Sequence, residues 1–140
     1  MKISTIYKTI SILSVIGMAL ALFLFYEYLF QPAFRPCSIN AVVNCDAVIS
    51  GPIRTFLGIP VSLIGLFGYI VIFLGSLLKN RKLVLGMVLF GMVFCIRLLF
   101  IELFILHVVC PVCVSCFIVM TTIFVLSIKL YLDERRKVTR

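Results

Sequence analysis

Four long apolar runs divide this chain, and each is close to the roughly 20 residues that a helix needs to cross a bilayer's hydrocarbon core. They fall at residues 9–30, 58–78, 83–109 and 111–132. The fold class that follows is an all-α membrane protein, a four-transmembrane-helix bundle forming one domain over residues 1–140, with an external loop at 31–57 and a basic tail at 133–140. Composition excludes the alternatives. Of all residues 64% are hydrophobic and 13% charged, with a mean hydropathy of +1.28, whereas soluble domains carry about 25% charged residues and disordered chains are poor in apolar ones. The first run follows Lys2 and Lys8 and contains Ala19-Leu20-Ala21, which mimics a signal peptide and its cleavage site. It stays apolar through Leu22 to Tyr28 apart from Glu27, which is longer than the about 7–15 residues of a signal's hydrophobic region. It reads as a retained span.

Lysine and arginine collect in cytoplasmic loops near the ends of spans. With the N-terminus inside, Lys2, Lys8, Lys79, Arg81, Lys82, Lys129, Arg135, Arg136, Lys137 and Arg140 all face the cytoplasm, and only Arg35 and Arg54 lie opposite. The formal charge of +8 is therefore read as topology, with attraction to anionic lipid of the bilayer second. No interleaving of basic and aromatic residues points to a nucleic acid.

This topology sorts the six cysteines. Cys37 and Cys45 fall in the external loop, and Cys110 and Cys113 at the external mouth of the last span, so all four meet the oxidising side. Cys95 and Cys116 lie inside spans, where a free cysteine serves as a small hydrophobe. Cys110-Pro111-Val112-Cys113 is a C-x-x-C at a helix start, with proline where no amide donor is needed. Residues three apart share a helix face, so the sulfurs can form a readily exchanged disulfide, and the helix N-terminus favours the thiolate that exchange requires. With Cys116 the spacing also suggests part of an iron–sulfur run or three zinc ligands. Cys116 is expected below the membrane surface, however, and only His107 offers a fourth ligand, so no metal is expected. Cys37 and Cys45 are open to two readings, a static bridge holding the loop or the first half of an exchange chain. In an exchange chain, electrons from a soluble partner pass from loop to membrane, and a two-electron carrier dissolved in lipid takes them up.

Several stretches together resemble the vitamin K epoxide reductase family, in its prokaryotic single-domain form. They are Pro36-Cys37-Ser38, Cys45-Asp46-Ala47-Val48-Ile49-Ser50, Gly58-Ile59-Pro60-Val61-Ser62-Leu63-Ile64-Gly65, and the C-x-x-C that opens the last span. The likeness covers about residues 10–130. It implies a four-helix bundle enclosing a quinone, with a half-helix in the external loop between the first two spans. By the same resemblance Cys110 and Cys113 are the redox centre, Cys113 nearer the quinone, and Cys37 and Cys45 are the shuttle pair. Cys45 then exchanges with Cys110, and Cys37 with the partner protein. The implied setting is a multi-pass protein of a prokaryotic cell membrane, with both termini cytoplasmic and the cysteines external.

Two positions depart from the family pattern. Gly51 stands where members often have serine or threonine, with Ser50 beside it as the possible substitute. Phe117 replaces the tyrosine that vertebrate enzymes use as a quinone hydrogen-bond donor; it can only pack, as a ring-stacking wall. Both departures argue for an ordinary quinone, a menaquinone, ubiquinone or vitamin K type, over epoxide chemistry. Ionisable groups within membranes are functional candidates because burying them is costly. Glu102 is one, as a proton supply for quinone reduction or a group reaching for the interface, and His107 at the mouth near Cys110 is another; Arg97 lies deeper. Gly58, Ser62, Gly65 and Gly68 form a small-residue face on the second span, read as close helix packing, with Ser62 also a candidate quinone contact.

The expected function is a membrane thiol–disulfide oxidoreductase. It takes electrons from a separate, secreted thioredoxin-like (DsbA-like) protein, passes them through Cys37/Cys45 and Cys110/Cys113, and reduces a quinone, so supporting disulfide formation. The bacterial DsbB proteins do similar chemistry with their C-x-x-C in the first loop instead. The alternatives are a vitamin K epoxide reductase proper and a redox-inert, disulfide-stapled assembly subunit.

Overall fold

The computed structural model describes residues 2–30, 40–43 and 55–140. Cys37, Cys45, Ser50 and the expected half-helix lie outside the described residues. Helix α1 runs over Ile3–Phe30, α2 over Val61–Leu77, α3 over Arg81–Ile101 and α4 over Pro111–Thr139. Three of these are long and apolar enough to cross a membrane, while α2 is an apolar helix of 17 residues, about 25 Å at 1.5 Å per residue.

Local sequence explains the joints. Before α2, strands β1 (Thr55–Phe56) and β2 (Ile59–Pro60) pair antiparallel across a two-residue turn. Leu57 and Gly58 in that turn have φ of 54° and 84°, the left-handed pair that a type I′ hairpin turn requires. After α2, the Lys79 amide donates to Ser76 and the Asn80 amide to Gly75, a Schellman closure with Lys79 at φ 53°. Asn80 then caps α3 through its side chain, which accepts from the Leu83 amide at 3.3 Å. Three residues, Leu78 to Asn80, therefore end one span and start the next.

Each helix packs on its neighbours in sequence, and α4 returns to α1. At one end Tyr7 donates to the Lys79 carbonyl and to Glu134, which pairs with Arg81 at 3.0 Å. At the other end Tyr28 and Leu24 of α1 pack on Cys110, and Val43 forms a parallel bridge with Val109. The core between them is made of Ile6, Ile10, Tyr69, Ile72, Val84, Val88, Met120, Ile123 and Leu130. The outside is apolar as well: Ile12, Phe67, Phe90, Phe100 and Phe104 are exposed, as expected where the solvent is lipid.

Several bounds differ from the hydropathy reading, with α1 beginning at Ile3 rather than 9 and α2 at Val61 rather than 58. The third span, expected over 83–109, stops being α-helical after Ile101, becomes a π turn over Glu102–Leu106, and ends at His107 in the left-handed region. The tail expected at 133–140 continues α4 to Thr139, because Asp133, Glu134 and Arg135–Lys137 are sound helix formers or suit the C-terminal end of the dipole.

Gly17 marks the tightest approach. A Cβ there would overlap the Tyr69 ring, whereas one on Gly91 would meet only the flexible end of Met120. Overpacking of this kind costs typically about 1–3 kcal/mol. Gly17→Ala should lower the thermal midpoint measurably, and Gly91→Ala should leave it nearly unchanged.

Candidate active site

The C-x-x-C sits at the opening of α4, as its sequence predicts. Cys110 is the N-cap residue with extended backbone, Pro111 holds the first helical position, and the Val114 amide closes on the Cys110 carbonyl at 3.0 Å. Cys110 is fully buried and Cys113 partly so. The Cys113 thiol donates to the Cys110 sulfur and, with the amides of Val112 and Cys113, holds the Cys110 thiol below its ordinary range against the opposing effects of burial and of Glu102. A thiol is unreactive below its midpoint and reactive above it. Alkylation of Cys110 should therefore rise at a lower pH than for an ordinary cysteine, and Cys113→Ala, which removes the donor, should move that rise upward.

Glu102 joins this pair from α3. One carboxylate oxygen and the two sulfurs lie within 4.8 Å of one another, and the Glu102 side chain is fully buried. In an unbroken α-helix residue 110 would stand about 12 Å beyond residue 102. The π turn and His107 (φ 52°) fold the chain back instead, with the His107 and Val108 amides both donating to the Glu102 carbonyl. His107 is thus the residue of the turn itself, and its side chain is exposed.

An apolar cavity opens beside Cys113. Ser62, Gly65, Gly68 and Tyr69 of α2, Phe90, Phe94 and Cys95 of α3, and Cys113, Cys116 and Met120 of α4 line it. The small-residue face of α2 therefore does something other than the close helix packing its spacing suggests. A Cβ on Gly65 or Gly68 would meet nothing within 4 Å, so these glycines hollow out the cavity. On α4 the cavity wall is Cys113, Cys116 and Met120, and Phe117 stands outside it. Cys95 and Cys116, expected as inert packing, share that wall.

Tyr69 is the site residue that the motifs missed. Its hydroxyl donates to the Cys116 carbonyl at 3.1 Å, bringing a polar group to the cavity near Cys113. The available signal was helical spacing, since Ser62, Gly65 and Tyr69 fall on one face.

At the same end of the bundle, the segment Asn40–Val43 is tied to this centre. The Val109 amide donates to the Val42 carbonyl at 2.7 Å. Val109 directly precedes Cys110, and Val43 comes two residues before Cys45.

The sequence matches the model of the vitamin K epoxide reductase family over residues 8–128. No individual curated protein matches it.

Proposed function

Because the chain belongs to the vitamin K epoxide reductase family, and is therefore a membrane oxidoreductase of quinone-related redox chemistry, we propose that it oxidises the dithiol of a separate thioredoxin-like protein and reduces a membrane quinone. Cys37 and Cys45 take electrons from the partner on the external face of a prokaryotic cell membrane, Cys45 passes them to Cys110, and Cys113 delivers them to a quinone in the cavity. The observation that carries this reading is the position of the C-x-x-C between the two ends of such a path. The Val42–Val109 hydrogen bond supports it by tying the Asn40–Val43 segment to the residue before Cys110, and Cys113 forms part of the apolar cavity wall.

The chemistry balances. A dithiol gives up two electrons and two protons as its disulfide forms, and a quinone takes both pairs as it becomes a quinol. The cavity's apolar walls with few polar groups suit a ring ligand, and Ser62 is the wall hydroxyl that could donate to a quinone oxygen, the Tyr69 hydroxyl being committed to the Cys116 carbonyl. With Phe117 outside the wall and without a hydroxyl, an ordinary quinone is favoured over an epoxide as substrate.

The reading is tested by purified chain in lipid nanodiscs supplied with a reduced thioredoxin-like donor and a short-chain menaquinone or ubiquinone. Quinol should appear in step with donor disulfide. A chain that leaves both substrates unchanged would be the redox-inert alternative. The orientation is tested separately. Cytoplasmic reporters inserted at Asn80 and fused after Arg140 should both read inside, since Lys79, Arg81, Lys82 and the tail share one end of the bundle; an outside signal at either would reverse the path.

A further inference from the structure

Resting on the thiol–quinone reading above, we propose that Glu102 exchanges a proton with Cys113 whenever the Cys110–Cys113 pair opens or closes, held in place by the π turn that ends α3. Glu102 is 0% exposed, and neither carboxylate oxygen has a hydrogen-bond partner among the described residues. A buried carboxyl without a partner is costly, and inside a membrane such a group marks a proton or substrate path by default. The Cys113 side chain and the Cys110 amide are the groups nearest to completing a bond with it.

Its surroundings contain few competing groups. The opening of α4 presents Cys110 and Cys113, with Cys116 further along. From α1, Tyr28 packs on Cys110; from α2, Tyr69 commits its hydroxyl to the Cys116 carbonyl. Among the described residues no lysine, arginine or histidine forms a salt bridge with Glu102. The carboxyl is thus free to gain or lose a proton against the two sulfurs.

The step is written for reduction of the pair by a dithiol donor. A donor thiolate attacks Cys110 Sγ, the donor–Cys110 bond forms, the Cys110–Cys113 bond breaks, and its electron pair leaves on Cys113 Sγ. Glu102 gives its proton to that sulfur, so an O–H bond breaks as an S–H bond forms and no bare thiolate remains within the membrane. The donor's second sulfur then closes its own disulfide as the donor–Cys110 bond breaks. The two protons lost by the donor go to Cys110 and back to Glu102. On oxidation of the pair the same carboxylate takes the Cys113 proton.

The test uses the full chain in nanodiscs with the Cys110–Cys113 disulfide formed, and follows single-turnover reduction by a small dithiol across pH. General acid–base groups typically contribute about 10²–10⁴-fold, so Glu102→Gln should slow the step about a hundredfold and remove one limb of the pH profile. Glu102→Asp should restore that limb at a reduced rate. Equal rates and profiles for the wild type and Glu102→Gln would overturn the proposal. A second measurement needs no variant. In wild-type infrared difference spectra between the oxidised and reduced pair, a carboxyl C=O band should shift as the adjoining disulfide becomes two thiols; an unchanged carboxyl region would also overturn it. No quinone is present in either assay, so a chain that shows the Glu102-dependent limb yet fails with quinone would sink only the reading above.

Discussion

Cys113→Ala should reduce quinone turnover to background with every electron donor, while Cys45→Ala should lose turnover with a thioredoxin-like donor alone. The difference lies in the size of the donor. A small dithiol can reach the helix mouth directly, whereas a folded protein is too bulky and must hand its electrons to the loop. Cys113 forms part of the cavity wall, so no donor can bypass it. Cys37→Ala adds a diagnostic product: Cys45 then lacks its resolving neighbour and should accumulate bonded to Cys110, a bond that peptide mapping detects. Normal oxidation of the protein donor by Cys45→Ala, with a Cys37–Cys45 bond resistant throughout turnover, would make that pair a static bridge.

Gly65→Leu should abolish quinone reduction and leave the fold and the thiol chemistry intact. A side chain at position 65 has open space before it, and that space is the cavity. A Cβ there meets no protein atom within 4 Å and the rest of the side chain adds apolar contact in the cavity, so the thermal midpoint should hold or rise. Losing about 2.8 kcal/mol of quinone binding is a hundredfold in affinity, and the leucine occupies the volume the ring needs. Exchange of Cys110–Cys113 with a small dithiol should proceed at close to the wild-type rate, because such a donor reaches Cys110 from the helix mouth and not through the cavity. Gly17→Ala is the contrasting case, where the added methyl overlaps the Tyr69 ring and the fold itself suffers. Unchanged quinone turnover in Gly65→Leu would place the quinone elsewhere.

The spans and the position of the C-x-x-C at a helix start are legible because each rests on a local rule. Apolar length gives the helices, Asn80 and Pro111 give two of their starts, and Cys110-Pro111-Val112-Cys113 carries its geometry in its spacing. What was not legible depends on how the helices meet. Gly65 and Gly68 look identical in sequence whether a neighbouring helix fills the groove beside them or leaves it open, and only the tertiary arrangement decides. The end of the third span was hidden for a related reason. Glu102 to Val109 continue an apolar pattern compatible with a helix, and neither glycine nor proline announces a break. The chain turns through a π segment and His107 because that route brings Cys110 back to Glu102, a nonlocal reason that hydropathy does not register. Tyr69 carries no motif of its own in the sequence, and its hydroxyl gains meaning only from the Cys116 carbonyl opposite.

If Cys110 and Cys113 are the dithiol that reduces the quinone, the pair must be oxidised in step with it even where no shuttle dithiol is present. A fully reduced Cys37→Ala/Cys45→Ala chain mixed with one equivalent of quinone, with no other donor present, shows this by quinol absorbance and by mass mapping of the alkylated cysteines. One quinol should appear for each Cys110–Cys113 disulfide formed. Quinol produced while Cys110 and Cys113 both remain open to alkylation, or a Cys110–Cys113 disulfide formed without quinol, would contradict it.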